Sequence, residues 1–219
     1  MRYGPHPEHV ADVAGDGATV AILHGGCWRA SYDRTLTAAI AADLAGRGYR
    51  VANVEYRRLD AGGTWPEPLG DVLAALTAVG AELVVGHSAG GHLALLAAAS
   101  TGLPAVAQAP VADLRRAVEL GACDGAAARL LAAGAPSPVD EPPATAHLVL
   151  HGAADEHVPV AIGREYAAAA SACEYVELPG CGHMEHLDPD SPAWAAACAW
   201  ISARLPPGRE SRTADSPHS

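Results

Sequence analysis

The sequence predicts an α/β protein with a mostly parallel sheet and helices on both faces. Three observations carry this. Strand-length apolar runs alternate with longer segments at helical spacing from residue 18 to residue 205. The strand-like runs, such as 18–23 (ATVAIL) and 82–85 (ELVV), lack clean polar alternation, as strands covered on both faces should. The chemically distinctive motifs fall where such runs end, and open parallel sheets form their sites outside the carboxyl ends of strands.

Each element has its own reason. Residues 1–17 are rich in Pro, Gly and His, with a short strand expected around 9–13. The run 18–23 is a buried strand that leads directly into His24-Gly25-Gly26-Cys27-Trp28. Residues 33–46 read as a helix with Asp33 as its N-cap. Residues 50–56 (RVANVEY) are the next strand, 57–68 a loop with two glycines in a row and two prolines, and 69–79 a helix. The strand 82–85 precedes Gly86-His87-Ser88-Ala89-Gly90, and 91–99 is strong in helix formers. Residues 105–109 form a short strand and 111–120 and 124–133 two short helices, and four prolines between 136 and 143 break the segment before the next strand. That strand, 146–150, ends in His151-Gly152, and a helix over 160–172 and a strand over 175–178 succeed it. The last helix, 191–205, has Ser191 as cap and Pro192 at its first position. Residues 206–219 are polar and aperiodic, a tail expected to be disordered.

Composition bounds the answer. The chain of 219 residues suits one α/β domain, here residues 1–205. Half the residues are hydrophobic and Phe is absent, so Leu, Val and Ala must build the core, with four Trp and six Tyr as the large pieces. A net charge of −11 argues against nucleic acid and against an anionic membrane surface as partners. No apolar stretch reaches transmembrane length, and the N-terminus lacks a signal-peptide core. Five cysteines at spacings that suggest neither a metal knuckle nor a disulfide frame read as a reduced, cytoplasmic protein.

The turn 86–90 reads G-x-S-x-G between a strand and a helix, the context of a nucleophile elbow. It would hold Ser88 in a strained conformation at a helix N-terminus, with the Ala89 N–H free to meet a developing oxyanion. A serine needs a base, and the base an orienting carboxylate. Asp155, just past the strand 146–150, and His183, in the Gly-rich loop after 175–178, come in the serine, acid, histidine order. Asp155 has a competing reading as the cap of its own turn, with Glu156 as rival acid and His186 as rival base. His151, His157, His183 and His186 match no known metal-ligand spacing, so no metal is expected. Gly26 and Cys27 are the candidate oxyanion donors beside Ala89, and His24 is read as a brace for their loop. Trp28 reads equally as core or as a pocket wall, and His87, inside the turn, is the other candidate substrate contact.

The order HGGCW, NVEYR, GHSAGGHLA, HGAADEHVP and GCGHM resembles the α/β-hydrolase superfamily, in particular its esterase branch with an HGG-type oxyanion loop. HGG-x-W and the opening YGPHPEHVADV are similar to the kynurenine formamidase group and its small carboxylesterase relatives, over residues 3–204. The resemblance implies an α/β-hydrolase fold with little or no cap, Ser88 as nucleophile, Asp155 as acid, His183 as base and no cofactor. It implies a small ester or amide substrate, a formyl aryl amide or a short acyl ester. Cys27 stands where the HGGG variant has its third glycine, which leaves the second donor open. A non-catalytic binding protein on the same fold is the alternative from another class.

Overall fold

The two most apolar runs form the middle of the sheet. In the computed structural model, which describes residues 1–207, β2 (Thr19–Leu23) and β4 (Leu83–His87) are buried along their whole length. Around them seven strands form one sheet in the order β1-β3-β2-β4-β5-β6-β7. The remaining strands are β1 (Ala11–Ala14), β3 (Arg50–Val54), β5 (Ala105–Gln108), β6 (His147–Gly152) and β7 (Cys173–Leu178). Only β1 is antiparallel, pairing with β3 at the edge; every other pairing is parallel.

Helices cover both faces, as the apolar strands require. Helices α1 (Ala38–Gly46) and α7 (Pro192–Arg204) bury Ile40, Leu44, Trp194 and Ile201 on one face. Helices α2 (Glu67–Val79), α3 (Ala89–Thr101), α4 (Leu114–Glu119), α5 (Ala126–Ala132) and α6 (Val160–Ala169) fill the other, through residues such as Val72, Leu93, Leu130 and Ile162. The ten residues Ala89–Ala98 of α3 are all buried, which explains its lack of a polar face. The largest fully buried side chains include Trp28, Trp194, Tyr56 and Tyr166, the big pieces expected in a core without Phe.

Local differences from the sequence reading have physical causes. Asp33 does cap, accepting from Thr35 N, but the first turn, Arg34–Thr37, is a 3-10 turn before α1. The helix expected from residue 111 starts at Leu114, because Asp113 takes the N-cap and accepts from the N–H groups of Arg115 and Arg116. Asp124, read as a helix start, is instead left-handed at φ 41°, and α5 begins at Ala126. No helix among the described residues is long and apolar enough to cross a membrane. The expected disorder of the tail falls, from residue 208 on, outside the described residues.

Candidate active site

The turn after β4 places Ser88 at φ 55°, ψ −115°, directly before α3. Only glycine fits on either side. A Cβ on Gly86 would lie 2.1 Å from Gly90 O, and one on Gly90 would lie 2.3 Å from Leu23 O. The serine N–H is taken by Gln108 O at 2.8 Å, which fixes the turn against the end of β5. Ser88 Oγ has no hydrogen-bond partner among the described residues and lines a cavity of about 290 Å³.

His183 lines the same cavity from the loop after β7. Its Nδ1–H donates to Asp155 Oδ2 at 2.7 Å, so the Nε2 lone pair is available on the cavity side. The other oxygen of Asp155 accepts from the N–H groups of His157 and Val158, both at 2.8 Å. Asp155 therefore makes the contacts that both of its readings call for, one set on each oxygen. Burial raises its pKa, but the hydrogen bonds from His151 and His183 and the charge of His183 outweigh that and hold it well below the ordinary carboxylate value. Glu156 is exposed at the cavity and makes no such pair. No hydrogen bond joins Ser88 to His183 in this structure.

His186, the rival base, is fully buried with no partner on either ring nitrogen among the described residues. Burial, then the neighbouring His151 and His183, push its pKa down to about 3. His87 is 1 % exposed, donates Nε2–H to His183 O at 3.0 Å and sits 4.5 Å from the His183 ring, centroid to centroid. It touches the cavity, but its polar reach goes to the His183 loop.

The loop after β2 turns back on itself. Gly26, Cys27 and Trp28 have φ of 101°, 49° and 54°, and Arg29 N–H closes the turn on Gly26 O at 2.9 Å. The N–H groups of Gly26, Cys27 and Ala89 have no hydrogen-bond partner among the described residues. His24 braces this loop as expected: its ring bonds Gly25 O and Glu55 Oε1, both at 2.8 Å. Among the described residues six non-glycine residues have positive φ, and Cys27, Ser88, Cys123 and Asp124 of these line this cavity. Such conformations persist only where the surroundings enforce them, and they cluster at functional sites.

The pocket wall differs from the sequence reading at two residues. Trp28 is fully buried, its ring edge-on to His92 at 5.2 Å, and it does not line the cavity. The left-handed turn points its indole into the core. Trp65 packs beside the same His92 at 6.4 Å and does not line the cavity either. Tyr32, 45 % exposed and seated against Gly26, is the aromatic residue of the cavity.

Sequence reasoning missed Glu55. It is 2 % exposed and accepts from His24, Arg58 and the Arg34 N–H. Burial raises its pKa, yet the His24 hydrogen bond and the cationic partners bring it below normal. The available signal was a carboxylate at the end of a buried strand, which requires buried partners. Among the described residues no three of His, Cys, Asp or Glu converge as a metal-holding group.

Known proteins share this architecture. The family model BD-FAE matches residues 11–117, from β1 through most of α4, which include the serine turn and the 24–28 loop. None of the curated proteins matches the chain in sequence. A truncated carbohydrate esterase from gut microbiota is similar in structure, with TM-score 0.75 and 18 % identity over 93 % of this chain and 94 % of that one. Est1E from Butyrivibrio proteoclasticus, solved with ferulic acid bound, has TM-score 0.70 and 18 % identity over 89 % of this chain and 96 % of that one. Esterase B from Lactobacillus rhamnosis, inhibited by a tributyrin phosphonate, has TM-score 0.76 and 19 % identity over 93 % and 82 %. The protein has the α/β-hydrolase fold.

Proposed function

We propose that the protein is a serine hydrolase acting as an esterase on short acyl esters. The observation that carries this is the 2.7 Å pair of His183 Nδ1 with Asp155, set in one cavity with a serine held at positive φ. Ser88 Oγ attacks the ester carbonyl while His183 Nε2 takes its proton. Asp155 holds the imidazole in the tautomer with a proton on Nδ1 and stabilises the imidazolium. The N–H groups of Ala89 and of Gly26 and Cys27 receive the oxyanion. His183 then protonates the leaving alcohol, activates water and returns the proton to Ser88 as the acyl group departs. No cofactor enters these steps.

The small acyl group follows from the cavity of about 290 Å³. Each methylene beyond its length is expected to cost about 1–3 kcal/mol. The BD-FAE match and the three esterases above support an ester substrate. A formyl aryl amide would want an indole face for its aromatic leaving group, and neither Trp28, which is buried, nor the half-buried Trp65 lines the cavity, so the ester ranks first.

The test is one preparation assayed on acetyl, butyryl and octanoyl p-nitrophenyl esters beside N-formylkynurenine, with a fluorophosphonate probe. Acetyl and butyryl esters should turn over faster than octanoyl, and the probe should label Ser88. An unlabelled Ser88 in folded protein would favour the binding-protein alternative. N-formylkynurenine outrunning every ester would replace the ester with the aryl amide.

A further inference from the structure

The mechanism above uses the backbone of Cys27 and leaves its thiol idle. That thiol is not alone. Cys123, from the turn between α4 and α5, lines the same cavity, and beside the pair Arg29 reaches Asp124 at 3.3 Å, so the two turns meet. Cys27 is half-buried and Cys123 is 8 % exposed. Both sit on left-handed backbone, at φ 49° and 61°. All five cysteines are free thiols, and Cys173 and Cys181 donate to the carbonyls of their own next residues.

We propose that Cys27 and Cys123 are an oxidation site: peroxide converts the pair to a disulfide that ties the oxyanion loop to the 122–125 turn and shuts down the cavity. The chemistry assigns the two thiols different roles. Cys27 is the more exposed of the two and so the one that peroxide meets first. The neighbouring Cys123 thiol, with Arg29 helping, favours the Cys27 thiolate against the opposing effect of burial. Cys27 is thus the attacking sulfur and the more buried Cys123 the resolving one.

The Cys27 sulfur attacks one oxygen of hydrogen peroxide and the O–O bond breaks. The released hydroxide takes the proton lost by the thiol and leaves as water, and Cys27 becomes a sulfenic acid. The Cys123 sulfur then attacks the Cys27 sulfur. The S–O bond breaks, and the departing hydroxide takes the Cys123 proton as a second water. Two thiols are oxidised by two electrons, and one peroxide is reduced to two waters. Both cysteines are free thiols here, and a bond of about 2.05 Å demands that the two sulfurs meet, so one or both turns must shift. A shift of about 1 Å in the oxyanion loop is worth roughly 10²-fold in rate.

The experiment treats the full chain with hydrogen peroxide, alkylates remaining thiols with N-ethylmaleimide and maps tryptic peptides without reduction. Cys27 and Cys123 fall alone in peptides 3–29 and 117–129, so their crosslink has its own mass. The expected result is that crosslinked pair, with esterase turnover down roughly 10²-fold and both changes reversed by dithiothreitol. Cys123→Ser should give no crosslink, and its peroxide inactivation, measured against its own untreated rate, should resist dithiothreitol as Cys27 passes to the sulfinic acid. Both peptides carrying maleimide after peroxide, a crosslink to Cys181 instead, or a crosslinked enzyme with undiminished turnover would each overturn the proposal. The crosslink is read by mass, so its failure is distinct from failure of the esterase reading, which the fluorophosphonate probe decides on untreated protein.

Discussion

Asp155, His183 and His186 differ by what each nitrogen or oxygen touches. His183 has one nitrogen on a buried carboxylate and the other toward the cavity, whereas His186 has neither. His183→Ala should therefore cut kcat by about 10³-fold or more, as should Ser88→Ala, with the melting temperature of the serine variant unchanged. His186→Leu should keep fluorophosphonate labelling of Ser88; loss of labelling in folded protein would make His186 the base. Ser88, Asp155 and His183 were legible in the sequence because strand ends and Gly-rich turns mark where a side chain can enter a cleft. Glu55 was not, because its partners His24, Arg34 and Arg58 gather only once β2 and β3 pair.

At the level of elements, the strand–turn–helix unit at 83–101 was legible because its glycines are required sterically, by backbone atoms that cannot move aside. Gly90→Ala should destabilise by about 3 kcal/mol or more, beyond ordinary overpacking, since the new Cβ meets the carbonyls of Leu23 and His24. Gly70 is the contrast. It lies in α2, exposed, with nothing within 4 Å of a Cβ. Gly70→Ala should raise stability by about 0.5–1 kcal/mol, read as a higher urea midpoint. A midpoint that falls would mean α2 is strained there. The segment 109–145 was less legible. Its helix starts are set by Asp113 and by the left-handed pair Cys123 and Asp124, of which Asp124-Gly125 is a turn signal that the helical run around it masked, and Cys123 carries none. Trp28 shows the same limit: its side chain follows a backbone turn that the sequence HGGCW leaves open.

Across the whole molecule, the unusual investment is in buried histidine. His24, His87, His92, His147, His151 and His186 are all buried. Burial lowers the pKa of His92 to about 4 and that of His186, with help from His151 and His183, to about 3. His87 is held well below 6.5 by burial and by the charges His183 and His186 would carry. Unfolding returns these groups to water, where a histidine titrates near 6.5. Between that value and the folded ones, the unfolded chain binds protons that the folded chain does not. Stability therefore rises with pH in this window, and is lost as pH falls from about 6.5 toward 4. At pH 5 His92 and His186 each contribute roughly 2 kcal/mol to that loss, about 4 kcal/mol together, against a total stability of about 5–15 kcal/mol, and His87 acts in the same direction. Asp155, Glu55 and Asp71, whose pKa values are lowered in the fold, add their own loss only below about pH 5. The urea midpoint should thus drop steeply between pH 7 and pH 5, ahead of any carboxylate titration. His186→Leu removes one titrating group and two unpaired nitrogens, so its stability should fall less steeply, by about 1.4 kcal/mol per pH unit at the acid side of the window. A midpoint that stays flat from pH 7 to pH 5, or a His186→Leu slope identical to the parent's, would mean that these histidines charge inside the folded protein.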